Sequence, residues 1–100
     1  MNFQERYGIK PVSKKMQDGE EIFIKQLSYK AAVSVACEYS VARKSVLTLI
    51  YGLCDETGNN IFTEDSIEWI EENLSFNTIQ EIASYVAEIS TRDIVKKQDA

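Results

Sequence analysis

The sequence contains no histidine, and this absence removes the residue that proteins use most often as general base and metal ligand. Its two cysteines, Cys37 and Cys54, are too few and too far apart for a zinc cluster. Both fall in predicted helices, so we expect reduced, buried thiols that pack as small hydrophobic side chains. A redox or disulfide role is the alternative. We predict neither a metal site nor a cofactor.

Glycine is also scarce, with four residues, and no phosphate-binding GxxxxGK[ST] or GxGxxG motif occurs among them. No serine lies in a glycine elbow, and no histidine is present to activate one. Neighbouring acids such as Glu71 and Glu72 project apart on a helix, whereas a glycosidase needs two facing carboxylates. We therefore predict no catalytic residues and conclude that the chain is not an enzyme.

Basic residues are outnumbered, with 11 Lys and Arg against 16 Asp and Glu, a net charge of -5 and a pI near 4.7. This charge repels a polyanion, so nucleic acid is not an expected partner. No apolar run approaches the roughly 20 residues of a membrane helix. Residues 1–6 have no basic stretch followed by an apolar one, so we see no signal peptide. We expect the protein to stay in the cytosol where it is made.

The remaining composition is that of a folded domain, with 44% hydrophobic and 10% aromatic residues in a chain of 100. This length suits one core without disulfide or metal support. We predict a single domain over residues 1–100, with frayed ends at about residues 1–8 and 95–100.

A β-hairpin is predicted near the amino terminus, because Asp18-Gly19 is a strong turn signal between residues 9–13 and 20–27. Ile22 and Ile24 alternate with Phe23, so we expect the isoleucine side to be covered. A hairpin on its own is only marginally stable, so it must pack against helices.

Helices are predicted after the hairpin. Ser28 can cap a first helix that starts at Tyr29, and Ser40 can cap a second after a break near residues 38–41. The first has an apolar face of Ala32, Val35, Ala36 and Tyr39. The second, residues 42–54, is apolar almost all round except near Lys44 and Thr48, and we expect it to be the core helix.

A turn at residues 55–60 ends the core helix, and Ile61-Phe62 forms a short apolar anchor before the N-cap Thr63. The next helix has a predicted buried stripe of Ile67, Ile70 and Leu74, and Trp69 lies at the margin of this stripe. Asn77 and Gln80 resemble a capping box. They would open a last helix with an apolar face of Ile79, Ile82, Ala83, Val86 and Ile89. Tyr85 flanks this face, and Ile94 would extend it. The fold class is mainly α (α+β), an N-terminal β-hairpin packed on a bundle of three to four helices.

The turn at residues 55–60 also has some likeness to a calcium loop that follows a helix. With Asp55 as the first ligand, however, the position that requires glycine holds Asn60 and the position of the bidentate glutamate holds Ser66. A helix stop is therefore the better interpretation.

The order of the segments carries a further indication. An Ile/Phe-rich strand ends in Leu27-Ser28, an apolar helix runs into Asp55-Glu56-Thr57-Gly58-Asn59-Asn60, then Ile61-Phe62-Thr63-Glu64-Asp65 follows, and an amphipathic helix closes the chain. This order resembles the tail assembly chaperones of long-tailed bacteriophages and prophages over residues 20–92. Residues 53–65 are the most characteristic part. Some relatives have a longer insert than this chain at Ser40.

The resemblance implies a role in building the phage tail. Such a chaperone coats the helical tape measure protein and helps to bring tail tube subunits to it, and many members also have a frameshifted longer form. We expect these protein partners, and self-association into a homo-oligomer through a helical face. Aromatic residues beside apolar stripes are often interface anchors, and four are candidates for partner binding: Tyr51, Trp69, Phe76 and Tyr85.

Two alternatives stay open. Each of these aromatic side chains is also explained by packing on the hairpin or on a neighbouring helix. A small phage or bacterial regulatory protein that binds DNA or a regulator is the alternative function, and a basic groove on a recognition helix would favour it.

Overall fold

The computed structural model describes residues 2–99, and the side chains among residues 2–90. The elements of this part follow in chain order: α1 (Phe3–Tyr7), β1 (Val12–Lys15), β2 (Glu21–Ile24), α2 (Tyr29–Ala36), α3 (Val41–Gly52), β3 (Leu53–Cys54), a 3₁₀ turn (Glu64–Ser66), α4 (Ile67–Asn73) and α5 (Phe76–Asp99). The predicted α+β class is confirmed.

The predicted hairpin is present, with strands shorter than expected. β1 and β2 are antiparallel, with Val12 opposite Ile24, and Gly19 in their turn has a φ of +93°. A residue with a β-carbon rarely adopts that angle. Ile24 is fully buried and Ile22 half-buried, as the predicted covered side requires.

A third strand corrects the predicted end of the core helix. α3 ends at Gly52, and Leu53 and Cys54 form β3, which pairs antiparallel with β2 opposite Ile24 and Phe23. The carbonyl of Gly52 accepts a hydrogen bond of 2.9 Å from the Lys25 backbone N–H. The chain leaves the helix here because the edge of β2 supplies partners for its backbone groups.

Helix α3 is the centre of the fold, as predicted, and α2, α4 and α5 all pack on it. The core contains Leu49 and Ile50 of α3 together with Val86 of α5. Even Thr48, on the predicted polar arc, is buried, and its hydroxyl donates a hydrogen bond of 2.8 Å to the Lys44 carbonyl. A buried hydroxyl needs such a partner.

The predicted helix starts at Ser28 and Ser40 are confirmed, because their hydroxyls accept from the backbone N–H groups of Ala31 and Arg43. The predicted apolar face of α2 is correct only at Val35, which is half-buried against the core. Its most buried residue is Ala31, whereas the face expected to be covered contains three exposed residues: Ala32, Ala36 and Tyr39. A two-turn helix fixed by caps takes its orientation from packing, and an exposed alanine costs little.

The two cysteines differ in environment. Cys54 is buried in β3, and this burial raises the pKa of its thiol. Cys37 is exposed at the end of α2, so the expectation of a buried thiol is wrong for this residue. Both thiols are free.

Helix α5 has the predicted buried face, with Ile79, Ile82, Ala83 and Val86 in the core. The predicted cap is wrong: the helix begins at Phe76, and the Ser75 hydroxyl accepts from the Thr78 N–H at 3.2 Å. Serine is as good an N-cap as asparagine and comes earlier in the chain. The hairpin end attaches to α5 through a Leu27 N–H that donates to Ser90 Oγ at 3.1 Å.

The chain ends compare differently with prediction. Residues 3–7 form α1, which Asn2 caps and which has no buried residue. No periodicity in the sequence indicated this helix. The predicted contact of Ile94 and the fraying at residues 95–100 fall outside the side chains that the structure describes.

Candidate protein-binding surface

The turn at residues 55–60 folds around one carboxylate oxygen. Asp55 Oδ1 accepts from the Thr57 hydroxyl at 2.6 Å, the Thr57 N–H at 2.9 Å and the Asn59 N–H at 3.0 Å. The Thr57 hydroxyl contributes most to a lowered pKa of Asp55. Gly58 has a φ of +95°. The carboxylate thus holds its own loop, and among the described residues no group of three His, Cys, Asp or Glu could hold a metal ion.

This turn is fixed to both the sheet and α3. Lys25 Nζ donates to the Gly58 carbonyl at 2.8 Å and to Asn60 Oδ1 at 2.6 Å. Asn60 Nδ2 donates in turn to the Ile50 carbonyl at 2.8 Å. The turn therefore sets the position at which the chain enters the Ile61-Phe62 pair.

The two residues of that pair have different surroundings. Phe62 is half-buried against the core, and its ring centroid lies 5.7 Å from that of Trp69 in α4. Ile61 is 54% exposed. The predicted apolar anchor is therefore Phe62, while Ile61 presents an apolar side chain to solvent.

Phe62 connects two of the four candidate residues. It lines a groove of about 430 Å³ together with Tyr51 and Glu64, and Trp69, 52% exposed, lies against its ring. The Tyr51 hydroxyl donates to the Glu64 carboxylate, and this hydrogen bond raises the pKa of Tyr51. Tyr51, Phe62 and Trp69 are here called the aromatic surface.

Acidic side chains surround the aromatic surface. Glu64 and Asp65 line its groove, and Glu68 and Glu72 are exposed on α4 beside Trp69. Glu71 is paired with Arg43 of α3, with Nε and Oε2 at 3.0 Å. The surface therefore presents aromatic rings within a negative field, which favours apolar partners that carry positive charge.

The other two candidates lie apart from this surface. Tyr85 lines a cleft of about 560 Å³ between the hairpin and α5. Its hydroxyl donates to Glu81 at 2.6 Å, and Lys14 Nζ lies 4.6 Å from its ring centroid. Phe76, the first residue of α5, is 73% exposed. Of the four candidates, therefore, Tyr51 and Trp69 are related through Phe62, which shares a groove with Tyr51 and lies against the ring of Trp69.

Comparison with known proteins identifies the family. The model of a family described as phage tail assembly chaperone, TAC, matches residues 5–89. The chain belongs to this chaperone family. A chaperone family implies protein partners. No curated protein matches this chaperone at a significant level.

A solved structure shares the fold of this chaperone. The tail assembly chaperone of bacteriophage HK97 has 18% sequence identity and a TM-score of 0.60, and the match covers 86% of this chain and 88% of that chain. At this identity the likeness shows the fold alone. Among the described residues of this chaperone, no helix has the length and apolar content needed to cross a bilayer.

Sequence reasoning missed two residues that shape this chaperone's surface. Phe62 was expected to be an anchor and not a surface residue, and Ile61 was not singled out as exposed. One signal was available for Phe62: it immediately precedes the N-cap Thr63, where a hydrophobic residue often packs back on the first turns of the helix. The exposure of Ile61 depends on where the turn places the chain, which no local pattern gives.

Proposed function

We propose that this chaperone binds the tape measure protein and helps to bring tail tube subunits to it, in the cytoplasm of the bacterial host, without catalysing a reaction. The observation that carries the proposal is the aromatic surface, in which a half-exposed Trp69 lies on Phe62. Tryptophan held in place by a neighbouring ring is a common anchor of protein interfaces.

The surface suits a helix that is apolar on one side. Trp69 supplies a large contact area, and the groove between Tyr51 and Phe62 offers room for an apolar side chain of the partner. Glu68 and Glu72 would attract lysine or arginine on the flanks of that helix. Such a contact needs no fixed sequence in the partner, which fits a chaperone that coats a long helical protein.

Self-association and the regulatory alternative both remain proposals. We expect self-association through a helical face, which would place several copies along one tape measure protein. The regulatory alternative has less support, because the exposed face of α4 has acidic side chains where a DNA-reading helix needs basic ones.

Co-purification tests the proposal. The tagged chain is co-expressed with the tape measure protein of the same phage, and the complex is isolated through the tag. We expect the tape measure protein to co-purify. If the chain is recovered alone, in amounts that show it is folded, binding to the tape measure protein is contradicted.

Variants assign the contact to a surface. Trp69→Ser should weaken binding by about tenfold or more. Glu72→Lys, at an exposed position, should weaken it about threefold while leaving the packing intact. Phe3→Ser is the matched control, since Phe3 is 77% exposed in α1. Equal binding by all three variants would exclude the aromatic surface, and weaker binding by Phe76→Ser or Tyr85→Ser would assign the contact to those residues.

A further inference from the structure

The edge of the sheet is incomplete next to β3. The last pair of β2 and β3 is Phe23 with Cys54, so Glu21 and Ile22 of β2 extend beyond the end of β3. The chain turns away at Asp55, whose N–H bonds to the Asn59 carbonyl at 2.9 Å instead of continuing the strand. An opening remains between the end of β2, the turn and α5.

This opening is a groove of about 420 Å³ with a mainly apolar lining. Its buried lining residues include Leu53, Cys54 and Ile82, at 7%, 1% and 5% exposure. Ile22 and Phe23 are half-buried, and Ile61, at 54% exposure, also lines it. We call it the sheet-edge groove. Such an apolar depression gains stability when an apolar side chain fills it.

The polar residues of the sheet-edge groove all have the same charge. Glu21, Asp55 and Glu56 line it, and its nine described lining residues include no lysine or arginine. One oxygen of Glu21 accepts a hydrogen bond from Ser13 Oγ at 2.6 Å, and Asp55 accepts one from the Asn59 N–H within the turn at residues 55–60. A partner that fills the groove therefore meets a negative rim, which favours Lys or Arg next to its apolar side chains.

The shape of the groove distinguishes between two modes of peptide binding. Adding a strand to the edge of β2 would use only Glu21 and Ile22, since β3 occupies the rest. Two residues are few compared with a usual strand of about five. A helix that inserts side chains into the groove does not need backbone pairing.

We propose that the sheet-edge groove binds an amphipathic helix of a partner protein, with leucine-like side chains in the groove and lysine or arginine beside the rim. This is a second binding surface in addition to the aromatic surface, and it does not depend on the identity of the partner there.

Two labelled peptides test the proposal on the full chain by fluorescence anisotropy. The first has leucines at helical spacing flanked by lysines, and the second has glutamates in place of the lysines. We expect saturable binding of the lysine peptide with a Kd below about 1 mM, and at least tenfold weaker binding of the glutamate peptide. Absence of saturation, or equal binding of both peptides, overturns the proposal.

Variants of the groove separate it from general attraction to an acidic protein. Ile61→Asn should weaken binding of the lysine peptide by about tenfold. Val41→Asn, at a residue 79% exposed on α3, should leave this binding unchanged. Glu56→Lys should weaken binding of the lysine peptide by about threefold, and Glu5→Lys, with the same change in net charge at an exposed position of α1, should have less effect. Equal effects within either pair would overturn the proposal.

Two further measurements complete the test. Thermal unfolding checks that the Ile61→Asn variant is folded, and the Glu56→Lys comparison does not depend on that variant. Sedimentation velocity of the Ile61→Asn variant tests the other occupant, a second copy of this chain. A wild-type oligomer that this substitution dissociates would assign the groove to a second copy and overturn the assignment to a partner protein.

Discussion

Gly52, the last residue of α3, lies against Val86 of α5 so closely that a β-carbon at residue 52 would be 2.4 Å from Val86 Cγ1 and 2.5 Å from Cγ2. Val86 is fully buried. Glycine is therefore required here for the close approach of the two helices. Its carbonyl also accepts a hydrogen bond from the N–H of Lys25, the residue that follows β2.

Replacing Gly52 by alanine should destabilise the fold by about 1–3 kcal/mol, because the added methyl group overpacks a core contact. Val86→Ala should cost about 2 kcal/mol on its own by leaving a cavity. The double variant should be more stable than the sum of the two costs predicts, because the methyl group added at residue 52 can occupy the space that Val86→Ala leaves. Urea unfolding measures all three, and strict additivity would contradict this contact.

The parts of the fold that could be predicted from the sequence are those that depend on neighbouring residues. Ser28, Ser40 and the Asp18-Gly19 turn act through neighbouring residues, so local sequence indicated them correctly. β3 depends on Leu53 and Cys54 meeting β2, about thirty positions earlier in the chain. A helical pattern continues through both residues, and only the tertiary pairing ends it. The same holds for α2, whose orientation results from contact with α3.

The two cysteines should react at very different rates. Cys37 is exposed, whereas Cys54 is buried and has a raised thiol pKa. A thiol reagent at neutral pH should therefore modify one cysteine quickly in the folded chain and the second only on unfolding. Cys37→Ser should abolish the fast phase. A fast phase that survives this substitution would show that Cys54 is accessible.

The Asp55 turn should make stability depend on acid. The hydrogen bonds from Thr57 and Asn59 lower the pKa of Asp55 from 3.8, so the stabilisation is fully present above pH 3.8 and is lost as the pH falls through the lower folded value. Asp55→Ala should lower the urea midpoint at about pH 7. Between about pH 7 and about pH 3, the midpoint of this variant should then fall by less than that of the wild type. Asp55→Asn keeps an acceptor oxygen and should have a smaller effect at neutral pH. Equal acid sensitivity of wild type and Asp55→Ala would contradict this role.

Alkaline pH should weaken the fold through Tyr51. Its hydrogen bond to Glu64 raises its pKa above 10.0, so the contribution is present below pH 10.0 and is lost as the pH rises through the folded value. Tyr51→Phe should make the fall in urea midpoint between about pH 9 and about pH 11 less steep. Tyr39→Phe, at a fully exposed ring, is the control and should leave the slope unchanged. An unchanged slope for Tyr51→Phe would contradict this contribution.

The candidate surface was predictable only in part. The sequence indicated that aromatic side chains at the margins of apolar stripes are possible anchors, and Trp69 and Tyr51 do lie near each other through Phe62. For Tyr85 the alternative of packing on the hairpin describes the structure, since its ring lies under Lys14. The sequence could not name Lys14 as the partner, because that contact joins residues distant in the chain. Periodicity gives the face of a helix, while the neighbouring element decides whether a residue on its margin is covered.

The most direct test of the chaperone role is the soluble fraction of the tape measure protein, measured with and without the co-expressed chain. We predict that the wild-type chain and Phe3→Ser raise this fraction to the same level, and that Trp69→Ser, once shown to be folded, does not raise it. A tape measure protein that is no more soluble with the wild-type chain than without it would contradict the role.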